Sequence, residues 1–171
     1  MELSDVLARR RSVRHFNTRL EVSDEDVRAL LLAAVSAPSA GNIQPWRFTV
    51  VRSAAARERL AGALAQRWAV AAPLTIVVSV DPRPCAARFG ARGEMLYAIQ
   101  DSAAAVENIL LAAVDRGLAS CWIGAFDEDA VRSALGIALP ISPVAILPIG
   151  HSAESSTKPS RRPLDEVTTW L

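Results

Sequence analysis

The stretch from Glu94 to Arg116 limits the fold of this chain more than any other. Apolar residues recur in it at helical spacing, with Val106, Ile109, Leu110, Ala113 and Val114 on one side, and Gly117 offers a stop. Its centre, AAAVENILLAAV, is apolar on more than one side, too much so for a helix lying against water. Such a helix belongs either at the centre of a monomer's core or inside a larger body such as a dimer. Periodicity alone weighs the two equally.

The remaining elements fall around it. Leu3, Val6 and Leu7 have the spacing of a short helix. Ser23, with Asp26 three positions on, reads as an N-cap. The apolar stripe Val27, Leu30, Leu31, Ala34 and Val35 then runs on until Pro38 ends the helix. Trp46 to Val51 reads as a strand, and Ser53 caps a helix expected to run through Leu60 and Leu64 to about Arg67. The continuous apolar run Leu74 to Val80 suits a buried strand, stopped by Asp81 and Pro82. From Pro82 to Gly93 the expectation is a mobile loop carrying Arg83, Arg88 and Arg92. Ser120 to Ile123 is a short strand, Asp127 caps a helix through Val131 and Leu135, and Val144 to Ile149 is a last strand. The polar tail from His151 to Leu171 ends in LDEVTTWL, an apolar patch that has to be covered by something. Helices interleaved with few strands make an α/β or α+β layered domain.

With 171 residues and no internal repeat or linker, the chain reads as one domain, residues 1–171. Hydrophobic residues at 51% and charged residues at 22% argue against disorder. A formal net charge of +1 argues against general nucleic-acid binding. No window reaches the ~18 apolar residues a membrane span needs. MELSDVLARRR lacks the apolar stretch of a secretory signal, so the expected location is cytoplasmic. Cys85 and Cys121 are isolated and read as reduced packing residues.

Two segments could carry chemistry. In RRRSVRHF, Arg9, Arg10, Arg11 and Arg14 crowd around the Ser12 hydroxyl, far more positive charge than a near-neutral chain needs. The cluster is either a solvated helix end or an anion site, with phosphate the natural ligand. Lys158, Arg161 and Arg162 in the tail form a second basic group that could converge on the same anion. In APSAGNIQPW, Pro38 and Pro45 stiffen a turn in which Gly41 permits unusual dihedrals and Asn42 and Gln44 offer donors and acceptors. That suits either an ordinary turn or recognition of a planar heterocycle with a polar edge. No zinc spacing, dinucleotide fingerprint or P-loop is present, and nothing selects a Ser-His-Asp assembly.

Taken together these segments resemble the nitroreductase family of flavin mononucleotide (FMN) enzymes, with its RRSxRxF-like motif followed by APSxxNxQPW. YAIQDSAAAVENILLAA, GLASCWIGAFDE, PVAILPIGH and KPSRRPLDEV match in order, so the resemblance covers Met1 to Trp170. It implies an α+β fold, a central mainly antiparallel sheet flanked by helices, in an intertwined homodimer whose 151–171 tail packs on the partner. It also implies FMN at the dimer seam. Arg10, Arg11, Ser12 and Arg14 would line the flavin, with Arg10 and Ser12 toward the phosphate end and Arg14 near the pyrimidine edge. Pro38, Ser39 and Ala40 would pack on the flavin from the other subunit, and Asn42 would help position the ring. Gly124, with Ile123 or Ala125 alongside, would offer its backbone N–H toward flavin N5. Lys158 and Arg161 would bind phosphate, Arg162 competing for that role, and Gln66 is a further flavin-edge candidate.

The implied activity is transfer of hydride from NAD(P)H, a transient reductant, via flavin N5 to a small electrophilic acceptor such as a nitroaromatic or quinone. No side chain need act as obligatory acid or base, because the cofactor carries the hard chemistry. Alternatives are a flavin-binding or regulatory protein without turnover, and a family variant acting in dehalogenation or flavin fragmentation.

Overall fold

In the computed structural model, which describes residues 1–155 and 158–171, the apolar run becomes β2 (Leu74–Val80), buried along its whole length. It can be buried on both faces because it lies inside a four-stranded sheet of order β1-β2-β4-β3, with β1 at Trp46–Val51, β3 at Ala119–Ser120 and β4 at Ser142–Gly150. All three pairings are antiparallel, and Val77 faces Thr49 on one side and Ile146 on the other.

Alternation along the strands sorts side chains between two layers. Leu74, Ile76 and Val78 of β2 join Ala145, Leu147 and Ile149 of β4 on the face covered by α2 (Asp24–Val35) and α5 (Ala98–Asp115). Val77 and Ile146 point the other way, to Leu60 of α3 (Ala54–Ala61) and Val131 of α6 (Glu128–Leu135). The central helix α5 buries Ala105, Val106, Ile109, Leu110 and Ala113 against the sheet. Its other sides are only half-buried in the single chain.

The helix ends are closed by the groups expected to close them. Ser23 Oγ accepts the Asp26 N–H at 3.0 Å, Ser53 Oγ that of Ala56 at 3.2 Å, and Asp127 Oδ1 that of Ala130 at 2.9 Å. At the C-terminus of α5, Gly117 takes φ 72°, the Leu118 N–H reaches the Ala113 carbonyl at 2.7 Å, and the Gly117 N–H reaches that of Val114 at 3.0 Å.

Three expectations need correction. The segment Pro82 to Gly93 is not a loop: α4 (Arg83–Arg92) fills it, kinked at Gly90 (φ 61°, ψ −151°), and leads through a π-helical turn, Gly93–Tyr97, into α5. Asp81 starts it by accepting the Arg83 backbone N–H at 3.2 Å, and Cys85 anchors it in the core. The helix after Ser53 stops at Ala61, with Gly62 as its C-cap, and Leu64 is buried in the turn beyond. The short strand near Ser120 is Ala119–Ser120, followed by a lone bridge from Ile123 to Ile146.

The tail leaves Leu164 68% and Trp170 84% exposed in the single chain, so its apolar end finds no cover there. Two tail residues, 156 and 157, lie outside the described residues. Among the described residues, no helix is long and apolar enough to cross a membrane.

Candidate functional site: an arginine-lined cleft

The arginine cluster begins where α1 (Leu3–Arg9) ends. The Arg10 N–H closes the helix on the Val6 carbonyl at 2.9 Å, and the chain then becomes extended. Ser12 bridges Ser120 in parallel, the Val13 N–H donates to the Ser120 carbonyl at 3.0 Å, and the Val13 side chain is buried. The tail zips alongside the next residues. Asn17 donates to His151 at 2.8 Å, and Ala153 donates to His15 at 2.9 Å. This pairing brings the C-terminal residues onto the N-terminal cluster.

The result is a cleft of about 350 Å³. Arg10, Arg11, Ser12 and Arg14 line it from the N-terminal side, and Arg161 lines it from the tail. Glu154 also lines it, its Oε1 accepting the Arg14 N–H at 3.0 Å and its Oε2 2.5 Å from His15 Nδ1. Arg10 Nε stands 3.7 Å from Glu107 Oε1 on α5. Cys121 is buried beside Ser12 and follows Ser120 in sequence. Burial pushes its thiol pKa up, against the Ser12 hydroxyl and the Arg14 and Arg10 charges, which pull it down. That keeps it a protonated packing residue.

The three basic candidates in the tail separate cleanly. Lys158 Nζ donates to the Leu7 and Ala8 carbonyls at 2.7 and 3.3 Å, where a cation meets the negative end of α1. Lys158 is therefore spent on the helix end and does not line the cleft. Arg162 Nε donates to Glu166 Oε2 at 3.2 Å. Only Arg161 of the three lines the cleft.

Pro38, Ser39, Ala40 and Asn42 do not line this cleft. Their loop includes a 3-10 turn at Ala40–Asn42, and three of its residues have positive φ: Gly41 at 56°, Asn42 at 57° and Gln44 at 56°. Ser39 Oγ accepts the Gln44 N–H at 3.0 Å, and Gln44 Nε2 donates to Asn42 Oδ1 at 3.1 Å. Asp101 of α5 accepts the Ala40 N–H at 3.0 Å, and Arg88 Nη1 of α4 donates to the Gly41 carbonyl at 2.8 Å. Asp101 and Glu107 are about 9 Å apart along α5 and on different sides of it. Within one chain, then, the loop and the arginine cluster meet separate parts of that helix.

Beyond Ser120 the chain leads directly to the segment of Gly124. Ile123 is buried and exchanges both backbone hydrogen bonds with Ile146, at 2.9 and 3.0 Å. Gly124 is exposed, with open space where a Cβ would stand. Ala125 and Phe126 line an open groove of about 580 Å³ that Leu64, Ala65 and Gln66 help to form, and the buried Gln66 Oε1 has no hydrogen-bond partner among the described residues. Extended chain from Ser120 to Gly124 covers about 13 Å. A ligand held by its anionic end in the cleft could thus lie along this segment. Glu154, Asp101 and Arg88 are site-side residues that sequence reasoning missed. Their partners are remote in the chain, and no local spacing marks them.

Comparison with known proteins places the chain in a family. The sequence model of the nitroreductase family matches residues 7–73 and 63–151. A protein of Archaeoglobus fulgidus, provisionally named NADH dehydrogenase/NAD(P)H nitroreductase, is 37% identical over 83% of this chain and 80% of its own length. An NADH dehydrogenase of Thermus thermophilus is 30% identical over 95% of this chain and 92% of its own. A crystal structure from Exiguobacterium sibiricum in complex with FMN superposes with a TM-score of 0.91, covering 100% of this chain and 98% of that one at 23% identity.

Proposed function

The chain belongs to the nitroreductase family, and from that premise we propose that it is an FMN-dependent oxidoreductase whose two flavin sites lie at the seam of a homodimer. The observation that carries this reading is the convergence of Arg10, Arg11, Arg14 and Arg161 with the Ser12 hydroxyl on one cleft. Guanidinium groups and a hydroxyl are the donors a phosphomonoester requires, so the residues present fit the phosphate end of FMN. The Exiguobacterium structure, at 23% identity, speaks for the shared fold; the case for the cofactor rests on this donor set.

When bound, FMN supplies the redox chemistry: hydride accepted from NAD(P)H and passed to a small electrophilic acceptor such as a nitroaromatic or a quinone. The chain supplies orientation and charge. Arg10, Arg11, Ser12 and Arg161 hold the phosphate end, while Arg14 brings positive charge toward the pyrimidine edge. Gly124, exposed and unobstructed, would offer its backbone N–H to the flavin, with the buried Ile123 fixing the segment. Lys158 has a different part: it stays on the end of α1 and steadies the helix from which the arginines emerge.

Pro38, Ser39, Ala40 and Asn42 serve the flavin of the partner copy, since in their own chain they lie apart from the cleft. The exposed Leu164 and Trp170 are the apolar surface that the partner covers. Anaerobic mixing with NADH or NADPH tests the reading. Bleaching of the bound flavin, and its reoxidation by a quinone or nitroaromatic, is the expected result. A flavin that stays oxidised marks a binding protein without turnover.

A further inference from the structure

The loop 38–44 keeps a conformation it would not adopt unaided. Asn42 and Gln44 have positive φ, 57° and 56°, a region non-glycine residues enter at a cost and keep only where their surroundings over-determine them. Two charged side chains from outside the loop provide that constraint. Asp101 Oδ1 accepts the Ala40 N–H at 3.0 Å, and Arg88 Nη1 donates to the Gly41 carbonyl at 2.8 Å. Adjacent residues of the loop are thus held by an acceptor from α5 and a donor from α4. The Arg88 guanidinium lies directly over Gly41, where a Cβ would meet it.

Asp101 is only 8% exposed, and its Oδ2 has no hydrogen-bond partner among the described residues. Burying a carboxyl with one oxygen unsatisfied is unfavourable, so the net stability of the fold does not account for it.

We infer that Asp101 and Arg88 form a clamp that presets the 38–44 loop for the flavin of the neighbouring copy. They are positioning residues: neither lines the arginine cleft, and both act through the backbone of Ala40 and Gly41. The inference rests on the FMN reading above. If the clamp holds the loop in its competent state, opening it lowers the fraction of chains ready to bind, and the apparent affinity falls by that fraction.

The test uses the full chain as D101A, D101N, R88M and R88K. FMN affinity is read by quenching of flavin fluorescence, and hydrogen exchange of the 40–44 amides is read in flavin-free protein. D101A and R88M are expected to weaken FMN about tenfold, equivalent to about 1.4 kcal/mol, and to speed exchange in the loop. R88K, which can still donate to the Gly41 carbonyl, and D101N, whose Oδ1 still accepts from Ala40, are expected to stay near the parent chain. Arg88 is exposed, so R88M folds even should D101A fail to. Unchanged FMN affinity in R88M, or weaker binding without faster loop exchange, overturns the clamp. A parent chain that binds no FMN overturns the functional reading instead, and the exchange rates of R88M still decide whether the clamp holds the loop.

Discussion

Arg161 and Lys158 are three positions apart in the tail, yet one guanidinium enters the cleft while the ammonium caps α1. That difference predicts opposite mutant behaviour. Arg161→Ala should weaken FMN binding about tenfold or more through loss of a charge-assisted contact, with the thermal midpoint unchanged. Lys158→Ala should act mainly on the end of α1 and leave the flavin affinity closer to that of the parent. Fluorescence titration beside a melting curve separates the two.

Two buried carboxyls should respond to pH in opposite senses. The Arg83 hydrogen bonds hold Asp81 below its ordinary 3.8, against its burial. Its contribution is therefore present above that value and lost as pH falls through the depressed one. Burial lifts Asp101 above 3.8, against the Ala40 hydrogen bond, so its effect on stability grows less favourable as pH rises from 3.8 through the raised value. Urea midpoints across pH check both: Arg83→Met should flatten the acid-side loss, and Asp101→Asn the decline above it. The arginine cluster was legible in the sequence because its charge density marks it, whereas the sequence left the choice among Lys158, Arg161 and Arg162 open. Asp101 and Glu154 were not legible, since each takes its meaning from a partner more than sixty residues away.

At the scale of elements, local chemistry carried most of the fold. β1 and β2 fall on the residues that alternation and apolar continuity mark, and Ser23, Ser53 and Asp127 cap the helices they were expected to cap. The largest departure, α4, is rich in arginine, and Pro82, Pro84, Gly90 and Gly93 in and beside it are signals that read as a loop. What holds it is a tertiary contact, Cys85 buried in the core, together with the local Asp81–Arg83 pair at its start. Gly93 is where this packing leaves least room, because a Cβ there would stand 2.2 Å from the Cys85 carbonyl oxygen. Gly93→Ala should cost about 1–3 kcal/mol in a urea melt. Gly124→Ala, with nothing within 4 Å, should leave the melt within about 0.5 kcal/mol of the parent.

For the molecule as a whole, one chain leaves the arginine cleft and the 38–44 loop apart and the apolar end of its tail exposed. The arginine cleft and the 38–44 loop meet different parts of α5, and Trp170 is 84% exposed. The sequence pattern allowed α5 to be either a monomer's core or the centre of a dimer. The structure shows it covering the sheet while its other sides remain half-buried, which leaves surface for a second copy. Truncation after Gly150 removes Arg161 together with the exposed apolar end, and should yield monomers that take up no flavin. Sedimentation velocity of the intact 18.3 kDa chain with added FMN, followed in the visible flavin band, tests the central claim most directly. The account predicts flavin absorbance travelling with a particle of twice the chain mass. A colourless protein boundary, with all flavin left at the meniscus, would contradict it.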